Sequence, residues 1–402
     1  MTQKICIAGK NNIAVNVTKY LLNQFTDIEI YVVFNSNDDG HNGFQQSFKK
    51  FCQFNNRIKI VSLDEVYEFS DLIFISLEFD KIIKPHLFSS NQLFNIHFSL
   101  LPEYKGMYTS ALPILHGKNY SGVTFHKIDK GIDTGDIIEQ IKFEIDDRTT
   151  AEELYNLYIN YGTDLVVKNL KKLFLKTYKS TIQSTCNSTY YSKYSIDYKN
   201  LKIDLKKTAF QIQRQINAFV FPAYQLPHVY GFPIYKSQIL NEKSCNKIGT
   251  VISENKFYID IATIDFDIRL YKDLRNELLN FAKEGNYDDL KQFIAAGYDI
   301  KQRSKEGWDI AIIAAFNDQF EFLNNLILYQ NWDVNTINNN GTTLSMYLMT
   351  RASFGADISY FENFIQNNHV DLAQKDFNNK SIFDYALNYQ NIDVIKILKP
   401  ND

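Results

Sequence analysis

Short apolar runs alternate with stretches of helical spacing through the first half of the chain, the pattern of strands and helices in turn. Residues 4–9 (KICIAG) are apolar and end on glycine, as a buried parallel strand does. Ala14, Val17, Leu21, Leu22 and Phe25 then fall on one helical face. Residues 28–34, 57–62 and 71–79 predict three more strands, the last almost wholly apolar until Glu78 and therefore central. The apolar run 93–98 contains Asn95 and His97, which share one face at a strand period of two. A loop with Pro102 and Gly106 follows, then a short helix over 109–116, a strand over 122–128 and an alternating strand over 137–145. Residues 150–178 return to helical spacing through Ala151, Leu154, Tyr158, Tyr161 and Leu165, with Thr149 or Thr150 as the cap and Glu152 and Glu153 in the first turn. These elements predict an α/β domain.

Beyond residue 180 the pattern loosens. Residues 180–204 are polar and read as loop and short strand, and 208–219 form an amphipathic helix. Residues 221–235 hold three prolines, three tyrosines and two phenylalanines. Two readings stand: a stiff hairpin packed on the core, or flat faces, Tyr224 and Tyr230 among them, for a base or sugar. Residues 249–270 alternate in short strands and close a small β subdomain. After Lys272 a helix–turn–helix unit begins. Gly307-Trp308-Asp309-Ile310 and Gly341-Thr342-Thr343-Leu344 recur 34 residues apart, and Asn379-Lys380-Ser381-Ile382 follows 38 further on. That period and these positions resemble ankyrin repeats, although Trp308 and Asp309 depart from the pattern. The expected division is 1–180, 181–271 and 272–402.

Composition excludes several classes. The chain has 402 residues, 45% of them hydrophobic, and a net charge of −3, which argues for a folded protein without a general attraction to polyanions. Residues 166–210 carry ten lysines against Asp197 and Asp204, whereas 271–402 carry 12 basic and 18 acidic residues, so the tail is a poor nucleic-acid arm. The four cysteines are widely separated, with no metal-ligand spacing, which suits a reducing cytoplasm. No run approaches the ~20 apolar residues of a spanning helix, and the first ten residues are too short in apolar character for a signal peptide. A cytoplasmic protein with no metal, no membrane and no nucleic-acid partner is expected. The turn Gly9-Lys10-Asn11-Asn12 lacks the glycine spacing of a dinucleotide site and reads as a plain βαβ connection.

The chemistry concentrates in residues 95–138. An amide and an imidazole end one strand, and Gly131-Ile132-Asp133-Thr134-Gly135-Asp136 holds a carboxylate in a tight loop after another. Ligands of α/β sheets bind at such strand ends. Asn95 supplies a donor without titration; His97 donates when protonated or relays a proton; Asp133 orients the imidazole or takes a proton. His126, on the strand between the motifs, reads as structural, and so does His116, which precedes Gly117 at a helix end where a cation favours the dipole.

NIHFSLLP, followed by GVTFHKID and GIDTGDI, resembles the signature of formyltransferases that use N10-formyltetrahydrofolate. The resemblance is best over residues 70–145 and implies a Rossmann-like catalytic domain. It implies Asn95, His97 and Asp133 as the catalytic set. It also implies that the loop after residues 71–79, with Leu77, Glu78 and Phe79, and with Gly131 opposite, holds the folate. The loop NIHFSLLPEYKGMY is closer to the nucleotide-sugar N-formyltransferases than to the transfer-RNA enzymes, which places Met107 and Tyr108 beside the sugar. A dTDP-linked 3-amino-3,6-dideoxyhexose, used in surface-polysaccharide (O-antigen) synthesis, is the expected acceptor. Alternatives are methionyl-tRNA formylation, or a repeat-bearing binding module on a relic enzyme. A homodimer through the β subdomain remains open. The repeat face, with Trp308 and Trp332, is open to a protein partner or a second sugar nucleotide.

Overall fold

The computed structural model describes residues 3–399. It divides into one unit of residues 3–41 and 47–273 and a second of 42–46 and 274–399.

In the first unit β1 (Gln3–Gly9), β2 (Ile28–Phe34), β3 (Ile58–Ile60), β4 (Leu72–Leu77) and β5 (Gln92–His97) pair in parallel in the order β3-β2-β1-β4-β5. Between them lie α1 (Asn11–Gln24), α2 (Phe48–Gln53) and α3 (Leu63–Tyr67). A two-residue strand β6 (Lys105–Gly106) and the short helix α4 (Leu112–Leu115) follow. β7 (Tyr120–Lys127) then pairs antiparallel to β5, and β8 (Ile137–Glu144) antiparallel to β7, completing seven strands. The strand order reverses between β1 and β4, the point where the carboxyl ends open a crevice.

The parallel strands are apolar on both faces because both are covered. Ile5, Ile7, Ile30, Val32, Ile73 and Ile75 face a core shared with α1 and α5 (Ala151–Phe174). Cys6, Ala8, Tyr31, Val33, Leu72 and Phe74 face the other side, with Val66 of α3. Thr150 caps α5 in a reciprocal capping box with Glu153. No helix among the described residues is long and apolar enough to cross a membrane.

After α5 the chain runs through β9 (Tyr190–Tyr191), which pairs with β6, and α6 (Ala209–Phe219). β10 (His228–Val229), β11 (Phe232–Lys243), β12 (Val251–Glu254), β13 (Tyr258–Ile261) and β14 (Phe266–Lys272) form an antiparallel sheet in the order β10-β11-β14-β13-β12. Ile212 and Ile216 of α6 pack on Ile234, Ile259, Ile261, Ile268 and Leu270 of that sheet.

The second unit is four helix pairs: α7 (Arg275–Glu284) with α8 (Tyr287–Ala295), α9 (Ile310–Phe316) with α10 (Phe320–Gln330), α11 (Leu344–Ser353) with α12 (Ile358–Asn367), and α13 (Ile382–Tyr389) with α14 (Ile392–Leu398). The first helices stack in series, α7 on α9, α9 on α11 and α11 on α13. Gly307, Gly341 and Asn379 each take a left-handed φ, of 80°, 73° and 60°. Two residues after each stands an N-cap, Asp309, Thr343 and Ser381, whose side chain accepts from the first turn. The departure at Asp309 therefore keeps the capping function, and the recurrence follows from it: a turn needing positive φ, then a cap.

Candidate active site

Asn95 and His97 end β5, and the antiparallel register sets Asn95 opposite His126 and His97 opposite Thr124. The acidic loop between β7 and β8 folds back over this edge and brings Asp133 to Asn95, His97 and His126. Asn95 Nδ2 lies 3.1 Å from His126 Nε2 and 3.4 Å from Asp133 Oδ1. His97 Nδ1 is 3.4 Å from Asp133 Oδ2, and His126 Nε2 is 3.6 Å from Asp133 Oδ1. The Gly106 N–H donates to Asp133 Oδ2 at 2.9 Å.

The backbone partners assign the imidazole protons. His97 Nε2 meets the Tyr104 carbonyl at 2.8 Å, and His126 Nδ1 meets the Lys127 carbonyl at 2.7 Å. A carbonyl only accepts, so both nitrogens carry hydrogen. His126 Nε2 is then the acceptor for Asn95, and His97 presents Nδ1 to the carboxylate. Burial raises the Asp133 carboxyl, but the His97 and His126 imidazoles in their protonated form, together with the Gly106 N–H, outweigh it and hold it well below the usual carboxylate range. Asp133 has a left-handed φ of 55°, and Gly135 beside it lets the loop close onto β7, since a Cβ there would meet the Lys127 carbonyl.

These groups line a cleft of about 300 Å³, at the lower end of ligand-site volumes. Ser76, Glu78, Phe79, Ile82 and Ile83 form its other wall, with Gly131 and Ile132 above. Glu78 follows β4 with a φ of 56°. Its carboxyl accepts from Tyr155 Oη at 2.9 and 3.0 Å and from Asn11 Nδ2 at 3.2 Å. Burial raises its pKa against the pull of Tyr155, Lys10 and Asn11. A carboxyl raised on folding binds more protons folded than unfolded, so its contribution to stability falls as pH climbs through the unfolded value and is smallest above the folded one. Glu78→Gln should therefore melt higher than the wild type near pH 8, with the gain shrinking toward pH 4. Scanning calorimetry across that range checks it, and a constant difference would refute it.

The remaining expected residues are dispersed. Leu77 is fully buried in the core beneath α1, and its side chain does not reach the cleft. Met107 is 47% exposed beside Gly106. Tyr108 turns away, its hydroxyl donating to the Lys193 carbonyl. Tyr224 packs tilted on Phe221, which packs on Tyr155, so a chain of aromatic contacts joins it to Glu78. Tyr230 lies in the β10–β11 turn with its hydroxyl on the Gly249 carbonyl, away from the cleft lining. His116, expected as structural, packs against Tyr104 and Tyr191, and burial and Lys118 lower its pKa. His126 belongs to the polar cluster rather than to the core alone; only the antiparallel pairing of β5 with β7 reveals it.

Residues 59–170 match the family described as formyl transferase, and 195–277 match the formyl transferase C-terminal domain. An N-formyltransferase from Helicobacter canadensis, solved with folinic acid and dTDP-3-aminofucose, is 44% identical, with a TM-score of 0.63 over 67% of this chain and 100% of that one. WlaRD, a sugar 3N-formyltransferase solved in the presence of dTDP and 5-N-formyl-THF, is 46% identical, with a TM-score of 0.63 over 68% and 98% of the two chains. Methionyl-tRNA formyltransferase of Clostridioides difficile is 29% identical over 209 residues, 50% of this chain and 66% of that protein, so the chain spans just under two thirds of this curated relative. An extended match over the full length of solved relatives leaves one conclusion: the chain belongs to the formyl transferase family of enzymes.

Proposed function

We propose that the protein transfers the formyl group of N10-formyltetrahydrofolate to the amine of a dTDP-linked 3-amino-3,6-dideoxyhexose, as a dTDP-3-amino-3,6-dideoxyglucose N-formyltransferase would. The observation that carries this reading is the meeting of Asn95, His97 and Asp133 at one cleft. The acceptor rests on the two relatives at 44% and 46% identity, solved with dTDP-3-aminofucose and with dTDP.

In this reaction the amine nitrogen bonds to the formyl carbon, the bond from that carbon to N10 breaks, and the proton lost by the amine ends on N10. Charge develops on the formyl oxygen. Asn95 Nδ2, at the cleft floor, is the neutral donor for that oxygen; one such donor is worth about 3–4 kcal/mol in the transition state. Its two hydrogens rest on His126 and Asp133, so a formyl oxygen competes for a donor already aimed into the cleft. His97 with Asp133 is the pair that moves the proton, the carboxylate favouring the charged imidazole as the amine loses its hydrogen. Phe79, Ile82 and Ile83 offer an apolar wall for the folate ring, and Glu78 and Gly131 its polar edge. Met107 and Tyr224, both exposed, would border the sugar nucleotide.

Residues 1–180 would carry the chemistry, 181–271 would frame the acceptor, and 272–402 would be ankyrin-type repeats, a reading supported by stacked helix pairs whose first helices begin at Arg275, Ile310, Leu344 and Ile382.

A second reading, methionyl-tRNA as acceptor, is favoured by the 29% identical curated relative. The acidic excess of residues 271–402 argues against a polyanionic partner. Steady-state kinetics with each acceptor separates the two. The proposal expects kcat/KM for a dTDP-3-amino sugar to exceed that for methionyl-tRNA by at least about 10³-fold, a ratio within reach when a site is built for a substrate's polar groups. The reverse order would reject it.

A further inference from the structure

Residues 181–191 run along the edge of the site and are tied to both loops that carry its polar groups. At one end Thr181 and Ile137 exchange both backbone hydrogen bonds, each at 2.8 Å. Gln183 then turns its amide onto the acidic loop, where Nε2 donates to the Asp133 carbonyl at 2.9 Å and to the Gly135 carbonyl at 2.7 Å. Two carbonyl acceptors demand the NH₂ end, so the amide has one possible orientation. At the other end Thr189 Oγ1 accepts from the Tyr104 N–H at 2.7 Å, and the Thr189 carbonyl accepts from Lys105 at 3.0 Å. The Tyr191 carbonyl accepts from Met107 at 2.9 Å, and β9 pairs with β6.

The two anchored loops are the ones that aim the catalytic pair. Tyr104 supplies the carbonyl that holds His97 Nε2, and Gly106 supplies the N–H that holds Asp133 Oδ2. Asp133 itself sits in left-handed backbone, a conformation that persists where the surroundings hold it. Gln183 grips the carbonyl of that same residue. One segment thus fixes the imidazole through Tyr104 and the carboxylate through Asp133 and Gly135.

We propose that residues 181–191 act as a strap, with Gln183 and Thr189 as positioning residues that set the separation of the His97 imidazole and the Asp133 carboxylate. Neither is placed against substrate; each acts through a group that is. The inference rests on the formyl-transfer reading above, and its test includes a readout that needs no turnover.

That readout is hydrogen exchange at Gly106, whose amide ends on Asp133. Gln183→Leu should speed exchange at Gly106 about tenfold or more while the β1 and β4 amides keep wild-type rates. It should lower kcat about 10- to 100-fold with KM for the folate within about threefold, the size of effect expected from a small misplacement. Gln183→Glu keeps the shape but, once ionised, sets acceptors against two carbonyls; protonated, it regains one donor. Its kcat should therefore recover as pH falls, a limb absent from both the wild type and Gln183→Leu. Thr189→Val, which removes the acceptor for Tyr104 alone, should lower kcat several-fold and decides the question if Gln183→Leu fails to fold. Wild-type exchange at Gly106 together with wild-type kcat in the folded variants would overturn the strap. A wild-type enzyme inert toward every amino sugar, with Gly106 exchange still responding to Gln183→Leu, would remove the proposed reaction and leave the strap standing.

Discussion

Asp133→Asn is expected to lower kcat about 10³-fold or more at pH 7 while leaving the fold and folate binding in place. The carboxylate is the single negative charge at the point where two imidazoles, a backbone N–H and the Asn95 amide converge. Asparagine retains an oxygen for Gly106 but has no charge to favour a protonated His97, so the proton leaving the amine loses its best-placed destination. The same substitution has a signature in stability. Because the folded carboxyl is held below its ordinary value, the unfolded chain binds more protons between the folded pKa and about 4. The carboxylate's contribution is complete above about pH 5 and is lost as pH falls toward the folded value. The melting difference between wild type and Asp133→Asn should be constant from about pH 5 to 7 and shrink below about pH 4. Turnover within about threefold of the wild type would remove Asp133 from the mechanism.

The second large effect is expected at His97. His97→Gln should lower kcat by about 10²- to 10⁴-fold, the usual range for a general acid–base group. Glutamine can still donate to the Tyr104 carbonyl, so the β5 end and the loop after it keep their anchor. What disappears is a group able to hold and release a proton while facing the Asp133 carboxylate. Single-turnover kinetics with saturating folate isolates this step from binding. A loss confined to KM would assign His97 to substrate binding instead.

Much of the sheet is readable from the chain because β1, β2 and β4 are buried over most of their length and show as nearly continuous apolar runs. Asn95, His97 and Asp133 stand out because an amide, an imidazole and a glycine-flanked acid interrupt such runs. His126 does not stand out, since its role depends on lying opposite Asn95 across an antiparallel pair, a partner that local periodicity does not name. Gln183 and Thr189 are hidden for a related reason: they lie in a polar stretch whose side chains act on distant backbone carbonyls and amides. Leu77 shows the converse limit, because a residue at a strand end has two faces to choose from, and this one turned into the core. In the helical repeats Gly307, Gly341 and Asn379 are legible because positive φ restricts what can stand there.

The reaction itself is tested most directly by following a ¹³C-labelled formyl group from N10-formyltetrahydrofolate in the presence of a dTDP-3-amino-3,6-dideoxyhexose, by NMR of the products. The account predicts that the label appears as an amide on the C3 nitrogen of the sugar, at a rate that collapses in Asp133→Asn and His97→Gln. Label that stays on the folate, or leaves only as formate, would contradict it.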